Sequence, residues 1–411
     1  MNPILPDTCF VPDVEARVMP DGRLYLYGSW DHPHSDYYCS REAHCFSTDD
    51  MIHFVDHGVI FRNDEEFQGM PWNPQSWLYA PDAIHKDGKY YYYVCGERND
   101  EGVAVADSPT GPFSPAEPIE GANGDSIDPT VFVDDDGQAY YFWGQFTLRG
   151  GKLMDDMKTL IPDTVKDGIL TEWEHGFHEG ASIRKRGDKY YMVYTDVSRG
   201  NATCMSYAIS DNPLGPYKKG GVIVDNIYCD PASWNNHGSI AEFKGQWYVF
   251  YHRSSQNRKT CRRVCVEPIY FDENGRIQEV EMTSSGAEYA LKLSDGIPAR
   301  AACRMMGACH ITLQGDREIL VSKKGGHWRT RDWAEYKYLD FGDGENRTFA
   351  LTVKGRGRIE VKLEDDTTLC KLSFDHVEAA EVTAPIPPVS GRHALWLLLE
   401  GDFEVHGFRL Q

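Results

Sequence analysis

The sequence predicts an all-β protein: a five-bladed β-propeller followed by a β-sandwich. Three observations carry that prediction. Aromatic residues are abundant, with 23 Tyr, 18 Phe and 10 Trp, beside 38 Gly and 22 Pro in 411 residues. Long stretches with the 3.6-residue period of a helix are scarce. One pattern, a turn with Gly followed by an aromatic-rich strand, recurs five times between residues 21 and 251. Short strands between tight turns mark β architectures, and a repeat of this length marks a propeller or an array.

The copies run, in order, Asp21-Gly22-Arg23-Leu24-Tyr25-Leu26-Tyr27, Asp87-Gly88-Lys89-Tyr90-Tyr91-Tyr92-Tyr93 and Asp136-Gly137-Gln138-Ala139-Tyr140-Tyr141-Phe142. The fourth is Gly187-Asp188-Lys189-Tyr190-Tyr191-Met192-Val193-Tyr194 and the fifth Lys244-Gly245-Gln246-Trp247-Tyr248-Val249-Phe250-Tyr251. Each follows a short apolar segment, such as residues 130–133 or 181–183, and so reads as a β-hairpin. A second element, Asp107-Ser108-Pro109-Thr110-Gly111-Pro112-Phe113, returns two periods later as Asp211-Asn212-Pro213-Leu214-Gly215-Pro216-Tyr217. A period therefore holds a hairpin plus outer strands, the content of one four-stranded blade. Five blades close into a ring that buries strand edges and leaves a central axis. The propeller is assigned to residues 1–293. The repeat stops after residue 286, residues 294–298 read as a linker, and residues 299–411 alternate in the manner of a β-sandwich, with strands at 349–354, 358–363 and 393–399.

Composition narrows the partners. Lys and Arg total 42 against 63 Asp and Glu, a formal charge of −21, which argues against nucleic acid or an anionic membrane as a partner. No apolar run reaches the ~20 residues of a spanning helix. The N-terminus shows no basic segment followed by an apolar one, which predicts a cytoplasmic location. The 11 cysteines form no C-x-x-C pair and read as free, mostly buried thiols in a reducing compartment.

About nine residues ahead of the five turns stand Asp13, Tyr79, Asp128, Glu179 and His237. The innermost strand of each blade lines the axis, so equivalent positions on different blades converge at one end of it. A single Asp at such a place is more simply a turn cap; four titratable groups at one register are hard to explain that way. Asp134, Asp135 and Asp136, by contrast, read as a solvated turn. Three carboxylates around one pocket raise each other's pKa, so that one keeps its proton near neutral pH. Glycoside hydrolysis needs that division between a protonated acid and an ionised base.

At these residues the chain resembles glycoside hydrolase family 43. The resemblance rests on Pro12-Asp13, the segment from Ile127-Asp128-Pro129 to Gly137, Glu179-Gly180-Ala181-Ser182-Ile183-Arg184-Lys185 and His237-Gly238-Ser239, in order and at blade spacing. It implies a five-bladed propeller that hydrolyses with inversion. Carried over by position, Asp13 is the general base, Glu179 the general acid, and Asp128 raises the pKa of Glu179 and orients it. Glu15 is the alternative base. His237 matches the family's axial histidine, which contacts a calcium ion directly or through water; a histidine satisfied in the core is the alternative. Tyr79, Trp77 and Trp143 are candidate walls of the sugar site, the two tryptophans also fitting a buried core. Arg263 resembles the arginine that reaches the pocket from blade five, with Arg262 as the alternative. Two departures are Asp13-Val14 in place of Asp-Pro and Ala181 in place of Pro.

The C-terminal part is similar to a family 6 carbohydrate-binding module through residues 334–342 and 401–408, with Trp328 and Trp333 as residues that could stack on a sugar or fill the core. The implied function is an exo-acting inverting glycosidase on plant cell-wall oligosaccharides, foremost an α-L-arabinofuranosidase. A β-xylosidase, a dual enzyme or a β-galactofuranosidase are the alternatives, and a non-catalytic glycan-binding protein is the rival class. No organic cofactor is implied.

Overall fold

The computed structural model describes residues 1–97, 100–124, 126–323, 332–345 and 347–411. Among the described residues, five sheets follow one another through residue 269, four of them four-stranded and the fifth three-stranded. Each is an antiparallel meander in chain order. Their first strands, Glu15–Val18, Asp82–Lys86, Thr130–Val133, Phe177–Arg186 and Ser239–Phe243, pack side by side in a closed ring about the axis. This is the five-bladed propeller that the repeat predicts.

The aromatic repeat supplies the second strand of each blade. Successive side chains of a strand point to opposite faces, and both faces of a blade are covered by its neighbours. In Ala139–Trp143, Tyr140 and Phe142 join the core shared with Ile183, Tyr190 and Tyr194 of the next blade. Tyr141 and Trp143 join Tyr93 and Val103 of the preceding one. That double burial explains why these strands read as continuous aromatic runs rather than alternating ones. It also corrects the reading of Trp143 as a wall of the sugar site: the side chain is fully buried between two blades, and its Nε1 donates to the Asn123 carbonyl at 2.8 Å.

The ring closes through the N-terminus. Ser239 Oγ donates to the Val14 carbonyl and accepts from the Ala16 amide, joining the last inner strand to the first. The segment before Asp13 runs along the outer strand of the fifth blade, Arg258–Ile269, where Ile4 N donates to Val264 O and the Asn2 side chain brackets Val266. All eleven cysteines are free and buried.

Among the described residues, the C-terminal part forms one nine-stranded sheet that curls over its own core. It starts at Leu291–Lys292, which pairs with Asp332–Asp343. The strands expected at 349–354 and 358–363 are one strand, Arg347–Leu363, which runs beside Thr368–Ile386 and Ser390–Leu410. The chain bends without breaking where Gly357 pairs with Gly401. Gly401 has φ 139°, and a Cβ there would sit 2.4 Å from the Arg356 carbonyl oxygen, so the bend demands glycine. Leu351, Ile359, Leu397 and Val405 meet inside the fold-over. Trp333 packs on Trp396 with ring centroids 4.5 Å apart; Trp328 lies outside the described residues.

Candidate active site

The carboxylates reach the axis by a shared backbone device. Asp13 and Asp128 each stand two residues ahead of an inner strand with left-handed φ values of 57° and 55°. This region is sparsely used except by Gly, Asn and Asp, and here it turns both side chains inward. In the fourth blade Gly180 takes the left-handed position at φ 68°, and Glu179 projects from the residue before it. A Cβ on Gly180 would lie 2.7 Å from His237 Cδ2, so glycine also makes room for the imidazole.

Asp13, Tyr79, Asp128, Glu179 and His237 line one cavity of about 270 Å³ at the end of the axis. Asp13 Oδ1 accepts from Arg262 Nη1 at 2.8 Å, and Oδ2 from Ser29 Oγ at 2.9 Å. His237 Nδ1 lies 3.5 Å from Asp13 Oδ1 and 4.0 Å from Asp128 Oδ2. Asp128 Oδ2 accepts from the Gly180 amide at 3.0 Å, and Glu179 Oε2 from Gln145 Nε2 at 2.7 Å.

These neighbours separate the protonation states. Burial by itself would raise Asp13, but Arg262 and His237 hold its carboxyl well below the usual range, so it is ionised. Burial pushes Asp128 up to about 7; His237 opposes the shift, while Glu179 and Asp13 add to it. The acidic cluster therefore keeps a proton near neutral pH. Asp128 is more deeply buried than Glu179, which is only half-buried. Burial would lower His237, but Asp13 and Asp128 push it up to about 9, so the ring is a cation. His252, 3.5 Å from Asp13 on its other side, is pushed down to about 3 by burial and Arg262 and stays neutral.

Several expected residues lie elsewhere. Arg263 points away from the pocket. It is buried, pairs with Glu318 of the C-terminal sheet and donates to the carbonyls of Leu5 and Pro6. The pocket arginine is Arg262, because neighbours on a strand face opposite ways. Arg262 is clamped by Asp31, with Nε to Oδ2 at 2.9 Å and Nη2 to Oδ1 at 3.0 Å. Trp77 is not among the lining residues; five residues ahead of its inner strand, it sits partly covered with its ring 6.3 Å from that of Tyr37. Glu15 lies one layer below the pocket, bonded to Arg184 at 2.7 Å. Beside it Arg17 pairs with Asp82 and donates to the Val131 carbonyl, so ion pairs form the floor. Tyr38, Gln145, His178 and Trp234 complete the walls.

The donor set does not fit a directly ligated calcium ion, which takes six to eight oxygens. Both oxygens of Asp13 are engaged by Arg262 and Ser29, and His237 offers nitrogen rather than oxygen, so a calcium ion here would be held mainly through water. Among the described residues, no group of three or more His, Cys, Asp or Glu is arranged to hold a metal.

A propeller with an ionised carboxylate, a retained proton and a one-sugar cavity at its hub defines a glycosidase class, and comparison with known proteins specifies it. The profile of glycosyl hydrolases family 43 matches residues 1–277, and the chain belongs to that family. It is a glycosidase acting on O-glycosyl bonds. A xylosidase/arabinosidase of Thermoclostridium stercorarium is 32% identical over 98% of this chain and 96% of its own length. A solved β-xylosidase/α-arabinofuranosidase from a compost microbial metagenome, described in a calcium-free form with xylotriose, is 32% identical with a TM-score of 0.58, covering 68% of this chain and 97% of its own. An arabinoxylan arabinofuranohydrolase of Bacillus subtilis, solved with cellotetraose, shares the fold over 100% of this chain and 97% of its own at 22% identity and a TM-score of 0.59.

Proposed function

We propose that the pocket removes single terminal pentosyl residues from plant cell-wall oligosaccharides with inversion, accepting both α-L-arabinofuranosyl and β-D-xylopyranosyl groups. The observation that carries this reading is the pairing of an ionised Asp13 with a proton retained beside Glu179 in a cavity sized for one sugar ring. Relatives known as xylosidase/arabinosidases join the two sugar specificities. Asp13 takes a proton from water as the water oxygen attacks the anomeric carbon. The bond from that carbon to the aglycone oxygen breaks, and Glu179 gives that oxygen its proton. Asp128 orients the acid through the Gly180 amide; two adjacent negative charges are unfavourable, so the Asp128–Glu179 pair holds one proton, and that shared proton is the one Glu179 delivers. His237 and Arg262 supply the positive charge beside the base, so no step calls for a metal.

The test is a panel of 4-nitrophenyl α-L-arabinofuranoside, β-D-xylopyranoside and β-D-galactofuranoside, offered to wild type and Glu179→Gln. Cleavage of the first two by wild type, reduced in Glu179→Gln, is expected. Binding of pentosyl oligosaccharides with no cleavage of any substrate overturns the reading in favour of a glycan-binding protein.

A further inference from the structure

We propose that Phe146 and Trp173 form an aglycone platform on which the second and third rings of a neutral oligosaccharide stack, beyond the bond being cleaved. The inference rests on the reading of Glu179 as general acid. The leaving oxygen must meet the proton of that acid, so the remainder of the substrate leaves the pocket past Glu179. The cavity of about 270 Å³ holds one ring, and further rings lie on whatever forms the lip on that side.

That lip is a small cross-linked assembly. Gln145 holds Glu179 at 2.7 Å, and the next residue, Phe146, donates its amide to the His178 carbonyl at 2.7 Å. The Phe146 carbonyl accepts the Glu172 amide at 2.9 Å, and Glu172 Oε1 is 2.9 Å from His178 Nδ1. Trp173 follows on the short helix Glu172–His175. Polar groups in this assembly are paired, and the Phe146 ring stands edge-on to His178, a wall of the pocket, with ring centroids 5.1 Å apart. Trp173 is 98% exposed and Phe146 45% exposed. Phe146 also holds a left-handed φ of 61°, a conformation costly for a bulky residue and kept where the surroundings impose it.

Two exposed aromatic side chains beside the acid, one of them braced on the pocket wall by His178, suit the apolar C–H faces of pyranose rings, which stack on aromatic surfaces. The charges choose the chain. Trp173 stands between Glu172 and Glu174, and the protein carries a formal charge of −21. An acidic glycan is repelled there, and a neutral one is not.

The experiment compares kcat/KM on 4-nitrophenyl xyloside, xylobiose and xylotetraose for wild type, Trp173→Ala, Phe146→Ala and a control, Tyr270→Ala, an exposed aromatic elsewhere on the surface. In Trp173→Ala the ratio of the tetrasaccharide value to the aryl value is expected to fall about tenfold, the scale of one large apolar contact. The disaccharide ratio falls less, and the control keeps the wild-type ratios. An unchanged ratio, or an equal loss on all three substrates, overturns the platform alone. Absence of cleavage by wild type overturns the reading of the pocket and the platform with it.

Discussion

The proposed base and acid, Asp13 and Glu179, have contrasting immediate neighbours: a guanidinium and an imidazolium beside one, a neutral amide on the other. Glu179→Gln keeps the shape and removes the transferable proton. Its kcat is expected to fall by roughly 10²–10⁴-fold on glycosides with poor leaving groups. The loss should be far smaller on a dinitrophenyl glycoside, whose leaving group needs no protonation; equal losses on both contradict the acid role. Arg262→Gln takes from Asp13 the cation that holds its pKa down. Because the base must be ionised, activity is lost as pH falls through that pKa, so the acidic limb of kcat/KM moves to higher pH in the variant. The basic limb, where the proton held near pH 7 is lost, stays in place. A uniform loss with no shift of the acidic limb contradicts this. The residues carrying these roles were legible because the five-fold repeat fixes their register. Arg262 was not separable from Arg263, since choosing between adjacent strand residues requires the absolute phase of the strand. Of the two readings of Trp143, wall or core, the structure takes the core, a choice that double burial hides in the sequence, and Tyr38 and Trp234 sit in irregular loops with no register to read.

The strand Arg258–Ile269 joins the pocket to the C-terminal sheet. On one face Arg262 holds Asp13; on the other Arg263 pairs with Glu318 and grips the carbonyls of the segment that leads to Asp13. Arg300 adds a second tie, to Asp7 at 2.6 Å, and Gln256 at the hairpin tip donates its amide to the Ile311 carbonyl. The C-terminal sheet is thus packed into the propeller rather than tethered to it. Glu318→Ala leaves a buried guanidinium without its carboxylate and is expected to cost about 3 kcal/mol. Urea unfolding should show this as a lower midpoint, with the acidic limb of the rate profile unmoved because Arg262 faces the other way. An unchanged midpoint contradicts the brace. In the sequence Gly355-Arg356-Gly357 looks like a break between two strands. The glycines instead let one long strand bend, a distinction that depends on the paired Gly401 about 45 residues away.

Across the whole molecule, closure of the ring brings stretches more than 200 residues apart to one hub, and it buries acidic groups there and between blades. Asp128, Asp230 and Glu267 are pushed up to about 7 and Glu101 to about 8, in each case by burial first. His237 stands at about 9. Each of these pKa values exceeds that of the unfolded chain, so the folded protein binds more protons and loses stability as pH rises through the folded values. His252 runs the other way, but only below about 6.5, the ordinary histidine value. Calorimetry should therefore show Tm falling from pH 6.5 to 9, helped by the growing self-repulsion of a chain already at −21; a flat or rising Tm contradicts the buried-proton account. The number of blades and the convergence at the hub were legible because the repeat is regular. The curl of the C-terminal sheet was not, because a fold-over is set by long-range pairing. The most direct test of the hub as an inverting site is proton NMR of the first sugar released from a β-xyloside. The proposed roles of Asp13 as base and Glu179 as acid predict the α anomer first, with release greatly slowed in Glu179→Gln. Initial appearance of the β anomer would contradict it.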